Sequence, residues 1–330
     1  MSMSIGHVAE LWRYPVKSLG GGRVDQAELG PRGVLGDRLW AVRDLERDVT
    51  ASARQLPVLL TATARYLGPV SSDAGPGNAP VVEITFPDGT VVSSSDDGVH
   101  TKLSELAGRD VRLTPLPPVE DTSLHKLTPA ERSETMSPAF LRAAFGIADD
   151  EKLPDLSMVR VSDVVNFARY STPPGTFVDL APVHVLSQTS LATIGAEIGS
   201  DMDVRRFRPN VLLALDNPDD ELPESHWAGA RVAIGEAVLD VLMPTIRCVV
   251  PSRAQPGFEV DRRITKAVAV RAQRCLGVYC GVDSGGRVRV GDEVSIRHAT
   301  AGRKALADAA RRAKRVTFGL VTGATERFSH

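Results

Sequence analysis

Cys248 is the residue of this chain whose chemistry is most informative. It is one of three cysteines in 330 residues, and it follows a cation in the segment Pro244-Thr245-Ile246-Arg247-Cys248. A thiol beside a guanidinium is biased toward the thiolate, the form that binds metals and attacks electrophiles. Cys248 is therefore a candidate metal ligand or nucleophile. The alternative is a free cysteine packed as a small hydrophobe.

A second candidate site follows the first predicted strand. Lys17 and Ser18 end that strand and precede Gly20-Gly21-Gly22, where a backbone without side chains can approach an anion closely. This combination suits a phosphate group. The alternative is a lysine on a solvated turn.

Arginines stand before two other predicted strands. Arg38 lies in Gly36-Asp37-Arg38-Leu39-Trp40, and Arg208 ends the cluster Arg205-Arg206-Phe207-Arg208. The planar guanidinium forms paired hydrogen bonds to phosphate and carboxylate groups. The two segments therefore indicate either an anion site or ion pairs between domains.

Composition limits the class of protein. The chain is 42% hydrophobic and 24% charged with a net charge of -2, which is typical of a globular protein and argues against nonspecific nucleic-acid binding. No apolar run is long enough for a membrane span, and the first residues lack a charged and apolar leader, so we expect a soluble, cytoplasmic protein without a membrane partner. Three cysteines are an odd count, and Cys275 and Cys280 are too far apart for a CxxC site. We expect reduced thiols, with neither a disulfide framework nor a zinc knuckle.

The element pattern predicts a mainly β protein with helices, an α+β fold of more than one domain. Residues 1–118 carry short β-branched and aromatic runs, typical of a β-barrel-like domain. Residues 119–180 predict short helices starting after Thr128 and Ser137, which we interpret as a connection or lid without a catalytic role. Residues 181–300 return to strands with one helix near residues 190–198.

Residues 301–330 predict a basic C-terminal helix and tail. The helix would run from Arg303 to Arg315, with cations near its end, where they interact favourably with the helix dipole. A solvated surface helix is one interpretation. A docking site for an acidic redox partner is the other.

Together these segments resemble the MOSC-domain proteins, named after the C-terminal domain of molybdenum cofactor sulfurase, preceded by the N-terminal β-barrel domain that often accompanies it. Similar characterised proteins are the mitochondrial amidoxime-reducing component and its bacterial counterparts. The resemblance spans roughly residues 8–296 and is carried by Tyr14-Pro15-Val16-Lys17-Ser18, Gly36-Asp37-Arg38-Leu39-Trp40, Ala53-Arg54-Gln55, Arg206-Phe207-Arg208-Pro209-Asn210, Arg247-Cys248, Gly277-Val278-Tyr279 and Val290-Gly291-Asp292.

The resemblance implies a molybdenum cofactor, in the form of Mo-molybdopterin, with Cys248 as the protein thiolate on the metal. A soft thiolate suits such a metal. Ser187 and Thr189 precede a predicted helix, so they could add donors at its N-terminus or act as ordinary N-caps. The resemblance assigns Lys17, Ser18, Arg38, Arg208 and Asn210 to holding the cofactor. Ser187, Thr189 and Arg247, the residue before the cysteine, complete the set of eight candidate cofactor-binding residues.

The sequence departs from the family pattern beside the cysteine. The amidoxime reducers carry a serine immediately before the Arg-Cys pair and threonines shortly after it, whereas Ile246 and Val249-Val250-Pro251-Ser252 stand here. We expect this apolar replacement to alter the substrate pocket. Some bacterial relatives also carry a fused ferredoxin domain with four cysteines. No such set follows Cys280, so the electrons are expected from a separate ferredoxin-type or cytochrome-type donor with its reductase.

The leading hypothesis is a molybdenum-pterin-dependent oxidoreductase that reduces N-hydroxylated or other N- or S-oxygenated small molecules. One alternative is a sulfur-transfer protein that uses a Cys248 persulfide, and another is a noncatalytic binding protein for the cofactor. The family is also associated with pyridoxal phosphate through a lyase domain, which we expect this chain to lack. Asp240 is a conceivable proton donor, although the sequence does not place it in a cleft.

Overall fold

The structure is a computed structural model that describes residues 2–135, 137–148, 151, 158, 159, 163, 166, 169–218 and 220–299. The helix predicted from Arg303 to Arg315 lies outside the described residues, and so does the rest of the predicted tail from residue 300 onward. The strands are β1 Met3–Arg13, β2 Gly22–Val24, β3 Gln26–Gly30, β4 Gly33–Val34, β5 Trp40–Asp44, β6 Val49–Thr50, β7 Thr63–Tyr66, β8 Val82–Thr85, β9 Val91–Ser93, β10 Val111–Pro115, β11 Val183–Ser187, β12 Val211–Leu215, β13 Arg231–Ile234, β14 Ala237–Ile246, β15 Cys275–Ser284, β16 Gly286–Arg289 and β17 Glu293–Arg297. The α-helices are α1 Gly98–Ala107, α2 Pro129–Thr135, α3 Pro138–Phe145, α4 Gln188–Ile198 and α5 Arg262–Arg271.

The predicted α+β class, with strands predominating, is confirmed. The helix starts expected at Thr128 and Ser137 are present, since each hydroxyl accepts a hydrogen bond from the amide three residues later. The β-branched and aromatic residues of 58–66 predict a strand over that whole range, but Pro57 starts a short 3-10 turn there and β7 begins only at Thr63. Helix α5 was not predicted, because its β-branched residues do not give a strong helical pattern.

Seven strands form a closed barrel in the order β12, β11, β15, β14, β13, β17 and β1, with β1 pairing back onto β12. The alternation in β14 explains its position: Ala237, Leu239 and Val241 point into the barrel and are buried, whereas the residues between them are partly exposed. Closure leaves no free edge between these seven strands.

The strands at the start of the domain expected over residues 1–118 pair with strands of the C-terminal part. β1 pairs with β12 and β17 and closes the barrel, whereas β3 pairs with β16 and β4 in a separate three-stranded sheet. The described part of residues 35–118 forms its own layer, in which the sheets β10-β5-β6 and β7-β8-β9 pack with α1 around Val42, Leu59, Ile84 and Leu103. Strand pairing by β1 and β3 therefore crosses the domain boundary expected at residue 118.

Helices α4 and α5 cover the outside of the barrel beside β1, β11 and β12. Their apolar residues Ile194 and Ile264 pack with Trp12, Leu186 and Phe207 of the barrel. This packing fixes one end of the barrel, where the chain leaves β1 and β14 and enters β12. The loops at that end carry the chemically distinctive residues of the sequence.

Candidate functional site

A cleft at this end of the barrel brings together both parts of the fold. It encloses about 680 Å³, including the portion open to solvent. The N-terminal part contributes Lys17, Ser18, Arg38, Ser52, Ala53 and Arg54, and the C-terminal part contributes Asp179, His184, Phe207, Arg208, Ile246, Arg247, Cys248, Val250 and Tyr279. Of the eight residues predicted to hold a cofactor, five line the cleft together with the predicted metal ligand Cys248.

Lys17 is the most enclosed cation of the N-terminal wall. Only 5% of the residue is exposed, which excludes a solvated turn. Its Nζ donates hydrogen bonds to the carbonyl oxygen of Phe177 (3.1 Å) and to Oδ1 of Asp179 (2.5 Å). The neighbouring Ser18 uses its hydroxyl to accept from the amide of Ala53 (2.9 Å), which ties the two loops of this wall together.

Asp179 is the one carboxylate among the described residues that line the cleft, and its side chain is 48% exposed. Burial opposes its ionisation, but Lys17, Arg54 and Arg38 hold the pKa of this carboxyl well below its usual value. Burial also lowers the pKa of Lys17, and the nearby cations Arg54 and Arg38 add to that effect although Asp179 opposes it. The nearby cations thus lower the pKa of both groups, and they are the cause of the Asp179 shift, whereas burial is the larger cause for Lys17. Such a cleft favours an anionic ligand.

Arg38 and Arg54 complete the N-terminal wall. Arg38 is paired with Asp37, and its guanidinium lies 5.2 Å from the centre of the Tyr14 ring. Arg54 lies 3.6 Å from Oδ1 of Asp179. These cations are therefore held in place by carboxylates or by an aromatic ring.

Arg208 lies over the same Tyr14 ring, 4.4 Å from its centre, on the C-terminal wall. Its Nη1 donates to the carbonyl oxygen of Leu19 (2.6 Å), while its Nη2 is buried and has no hydrogen-bond partner among the described residues. An unpaired buried donor is costly, so this atom indicates a place where a bound acceptor would be stabilised. Burial lowers the pKa of Arg208 to about 10, so the group stays charged at neutral pH.

Arg247 is fixed by uncharged partners. Its Nη2 donates to the carbonyl oxygen of Phe207 (2.7 Å), and its Nη1 lies 3.3 Å from Nε2 of His184. Burial and the nearby Arg247 cation hold the pKa of His184 well below its usual value, so the imidazole is neutral and can accept this hydrogen bond. Gly277 makes room for the imidazole, because a Cβ at that position would lie 2.5 Å from Nε2 of His184.

Cys248 follows β14 directly and lines the cleft as a partly exposed free thiol. Arg54 from one wall and Arg247 from the other interact electrostatically with its sulfur. Tyr279 lies nearby, and burial raises the pKa of its hydroxyl to about 12, so this group remains protonated. The cleft thus combines a soft metal ligand, several cations and a protonated phenol.

Three cleft residues adopt a left-handed backbone that is uncommon outside glycine. Their φ angles are 71° at Ser18, 51° at Arg38 and 56° at Arg208. Residues in this region of φ and ψ cluster at ligand sites, where the surrounding structure holds a strained conformation. The concentration of such residues here supports a binding function for the cleft.

The structure does not bring Ser187, Thr189 or Asn210 to the cleft lining. Ser187 caps α4 and donates from its hydroxyl to Oε2 of the buried Glu224 (2.8 Å). The carbonyl oxygen of Thr189 accepts from Thr193 within α4. Asn210 is buried, and its Oδ1 accepts from the amide of His184 (3.1 Å). The described contacts of these polar groups are internal, and they support the helix and the strands.

Other sequence candidates also have structural roles. Gly21 is needed for packing, since a Cβ there would lie 2.1 Å from the carbonyl oxygen of Arg13. Arg206 is buried and donates to the carbonyl oxygens of Pro251, Arg253 and Glu259. Asp240 pairs with Arg231 (3.0 Å) and is not among the described residues of the cleft.

Sequence reasoning assigned no role to Arg54, Asp179, His184 or Tyr279. Arg54 and Tyr279 lie within motifs that carry the resemblance, so their place in the family pattern was the available signal. Asp179 had none, because it lies at the end of the segment interpreted as a lid without a catalytic role. Only the folded chain brings it within 2.5 Å of Lys17.

Two family models match most of this chain. A MOSC domain matches residues 173–295, and a MOSC N-terminal beta barrel domain matches residues 5–104. The chain is a MOSC-domain protein that carries the accompanying N-terminal domain.

The similar curated proteins are mitochondrial amidoxime-reducing components. Component 2 of Bos taurus is 24% identical over 308 residues, which cover 88% of this chain and 83% of the relative. Component 1 of Homo sapiens is also 24% identical, over 88% of this chain and 82% of the relative. Among solved structures, the YUAD protein from Bacillus subtilis is 13% identical and covers 91% of this chain and 99% of its own, with a TM-score of 0.41.

Within the described ranges, each helix is too short or too polar to cross a bilayer.

Proposed function

We propose that this protein binds the molybdenum cofactor and uses it to reduce N-hydroxylated or other N- or S-oxygenated small molecules. The observation that carries the proposal is the convergence of Cys248 with five cationic side chains in one cleft that contains a single described carboxylate. The amidoxime-reducing relatives are 24% identical to this chain over 88% of its length, which supports the same class of reaction.

The described residues fit an anionic pterin with a metal. Arg208 and Arg247 have no carboxylate partner within the described part of the chain, and Nη2 of Arg208 lacks any acceptor. A phosphate would satisfy such groups, because guanidinium forms strong charge-assisted hydrogen bonds with it. In this proposal Lys17, Ser18, Arg38 and Arg208 hold the organic anion, Arg247 orients the cysteine loop, and Cys248 binds the metal.

The reaction that we propose is the reduction of an N-hydroxylamidine to an amidine. Two electrons and two protons enter, the N–O bond breaks, and the oxygen leaves as water. The bound cofactor would supply the two-electron chemistry. The protonated hydroxyl of Tyr279 can donate a hydrogen bond to the substrate oxygen, and Ile246 with Val250 gives the cleft an apolar surface for the substrate.

Metal content and turnover test this function. We expect stoichiometric molybdenum in the wild type and about a hundredfold less retained metal in Cys248→Ala, since one metal ligand is lost. Cys275→Ala is the matched control and is expected to retain the metal. Molybdenum-loaded wild type should reduce a simple N-hydroxylamidine with dithionite as the electron donor.

Two outcomes would contradict this proposal. A metal-free protein that carries a persulfide on Cys248 would favour sulfur transfer, for which the same cysteine would be the carrier. A molybdenum-loaded protein without turnover would favour a noncatalytic carrier of the cofactor.

The proposal includes a separate electron-donor protein of the ferredoxin or cytochrome type with its reductase, and a cytoplasmic location. Pyridoxal phosphate is not part of it.

A further inference from the structure

A second large depression lies behind Cys248, on the side formed by α5. It encloses about 1060 Å³, including its open part. Its lining includes Arg253, Arg262, Lys266 and Arg274, together with the exposed apolar residues Val260 and Val270. We call these six residues the basic groove.

The charges of the basic groove are mostly uncompensated. Arg274 pairs with Glu151 (2.6 Å), whereas Arg253, Arg262 and Lys266 form no ion pair with any described residue. By contrast, Arg263 on the same helix is paired with Asp261 (2.8 Å). The groove therefore presents a local positive field on a chain whose net charge is only -2.

The groove also carries exposed apolar surface. Val270 is 70% exposed and Val260 is 54% exposed, and both lie among the cations of the groove. Apolar residues inside a charged rim are typical of protein docking surfaces, where charge complementarity raises the association rate and selects the partner.

The basic groove is physically connected to Cys248. Thr265 and Arg274 line both the groove and a narrow gap of about 210 Å³ that is also lined by Cys248. The carbonyl oxygen of Arg274 accepts a hydrogen bond from the amide of Arg247 (2.8 Å), the residue just before the cysteine. An electron-donor protein bound in the groove would thus be separated from the Cys248 sulfur by the residues that line both spaces. The substrate would enter through the cleft on the other side.

We propose that the basic groove is the docking surface for an acidic one-electron carrier protein that supplies the reducing electrons. This inference rests on the proposed function for the electron route. Each reduction consumes two electrons, so two reduced carriers would dock in turn and each would leave oxidised by one electron. The predicted C-terminal cations Arg311, Arg312, Lys314 and Arg315 disfavour that segment as the occupant, because like charges repel.

Binding to an acidic plant-type [2Fe–2S] ferredoxin tests the proposal directly. The variant is Arg262→Glu with Lys266→Glu. The control is Arg32→Glu, an exposed arginine in the turn between β3 and β4 that forms no ion pair with the residues that the structure describes. We expect the dissociation constant at low salt to rise about tenfold or more in the double variant and to change less than about twofold in the control. Wild-type affinity should fall as salt rises.

Turnover separates this inference from the proposed function. With reduced ferredoxin, the double variant should lose about tenfold in rate, while its rates with dithionite and with reduced methyl viologen, which differ in charge, should stay near wild type. Absence of salt-sensitive ferredoxin binding by the wild type, or equal losses in the variant and the control, would overturn the docking surface. Ferredoxin binding without turnover from any donor would instead contradict the reductase.

Discussion

The two walls of the cleft hold their cations in different ways. On the N-terminal wall, Lys17 and Arg38 are paired with Asp179 and Asp37. On the C-terminal wall, Arg208 and Arg247 are held by carbonyl oxygens and aromatic rings, and no described carboxylate balances them. The first wall is therefore ordered before a ligand arrives, whereas the second is left with charge that a bound anion would balance.

This difference predicts which wall contributes more to the affinity for the ligand. A cation that is already paired gains less from a new anion, because it must share or exchange its partner. A cation held only by dipoles gains the full charge-assisted interaction. We therefore expect substitutions on the C-terminal wall to weaken cofactor binding more, and substitutions on the N-terminal wall to weaken the apoprotein more.

The largest effect is expected from Arg208→Ala. The substitution removes the buried Nη2 and with it a charge-assisted hydrogen bond to the ligand, worth about 1.5–3 kcal/mol. This loss corresponds to roughly tenfold to hundredfold weaker retention of the cofactor. The measurement is the pterin and molybdenum retained after dilution. Arg205→Ala is the neighbouring control, since Arg205 pairs with Asp203. Equal retention in the two variants would contradict the role of the C-terminal wall.

Gly277→Ala should displace His184, which contacts Arg247 on the C-terminal wall. Gly277 has φ of 78°, and its Cβ would lie 2.5 Å from Nε2 of His184. We expect the free energy of unfolding to fall by about 1–3 kcal/mol, measured by urea denaturation of the apoprotein. Gly257→Ala is the control for the cost of a positive φ alone, because Gly257 also has a positive φ but no atoms crowd its Cβ position. If the two variants lost the same stability, crowding at His184 would not matter.

Lys17→Ala tests the N-terminal wall. A lysine on a solvated turn would lose only cofactor retention on substitution, but the burial of Lys17 and its contacts to Phe177 and Asp179 predict a loss of apoprotein stability as well. The combined loss in Lys17→Ala with Asp179→Asn should be smaller than the sum of the two single losses, because both single variants break the same ion pair. Thermal unfolding of the four proteins in this cycle measures the coupling, and additive losses would exclude a stabilising ion pair.

The smallest effect concerns acid stability. The pKa of Asp179 is lower in the folded protein than its unfolded value of about 3.9, so its contribution to stability is present above that pH and is lost as the pH falls through the folded pKa. The apoprotein should therefore lose more stability on acidification than Asp179→Asn does. Unfolding free energies between about pH 6 and pH 2 compare the two proteins, and parallel curves would contradict the ion pair.

The sequence allowed much of the cleft to be predicted, because motifs with a family pattern contain Lys17, Ser18, Arg38, Arg208 and Cys248. It could not give the partners of these residues. Asp179 lies 162 positions from Lys17, and their contact depends on how a long connection returns to the barrel. Local patterns carry no information about such distant pairing.

Pairing between distant segments also limits how much of the fold could be predicted from the sequence. Short runs of β-branched and aromatic residues predicted most strands, because strand propensity is a local property of the chain. The membership of β1 in the C-terminal barrel depends on its pairing with β12 and β17, more than 190 residues later. Ser187 and Asn210 were candidates because their side chains could bind a ligand. In the structure these side chains form hydrogen bonds with Glu224 and with the amide of His184.

The most direct measurement is molybdenum X-ray absorption of the loaded wild type and of Cys248→Ser. We predict that the metal in the wild type has a protein sulfur ligand and that the variant has one sulfur neighbour fewer. Identical sulfur coordination in both proteins would show that the thiol of Cys248 does not bind the metal, and it would contradict the account of the cleft.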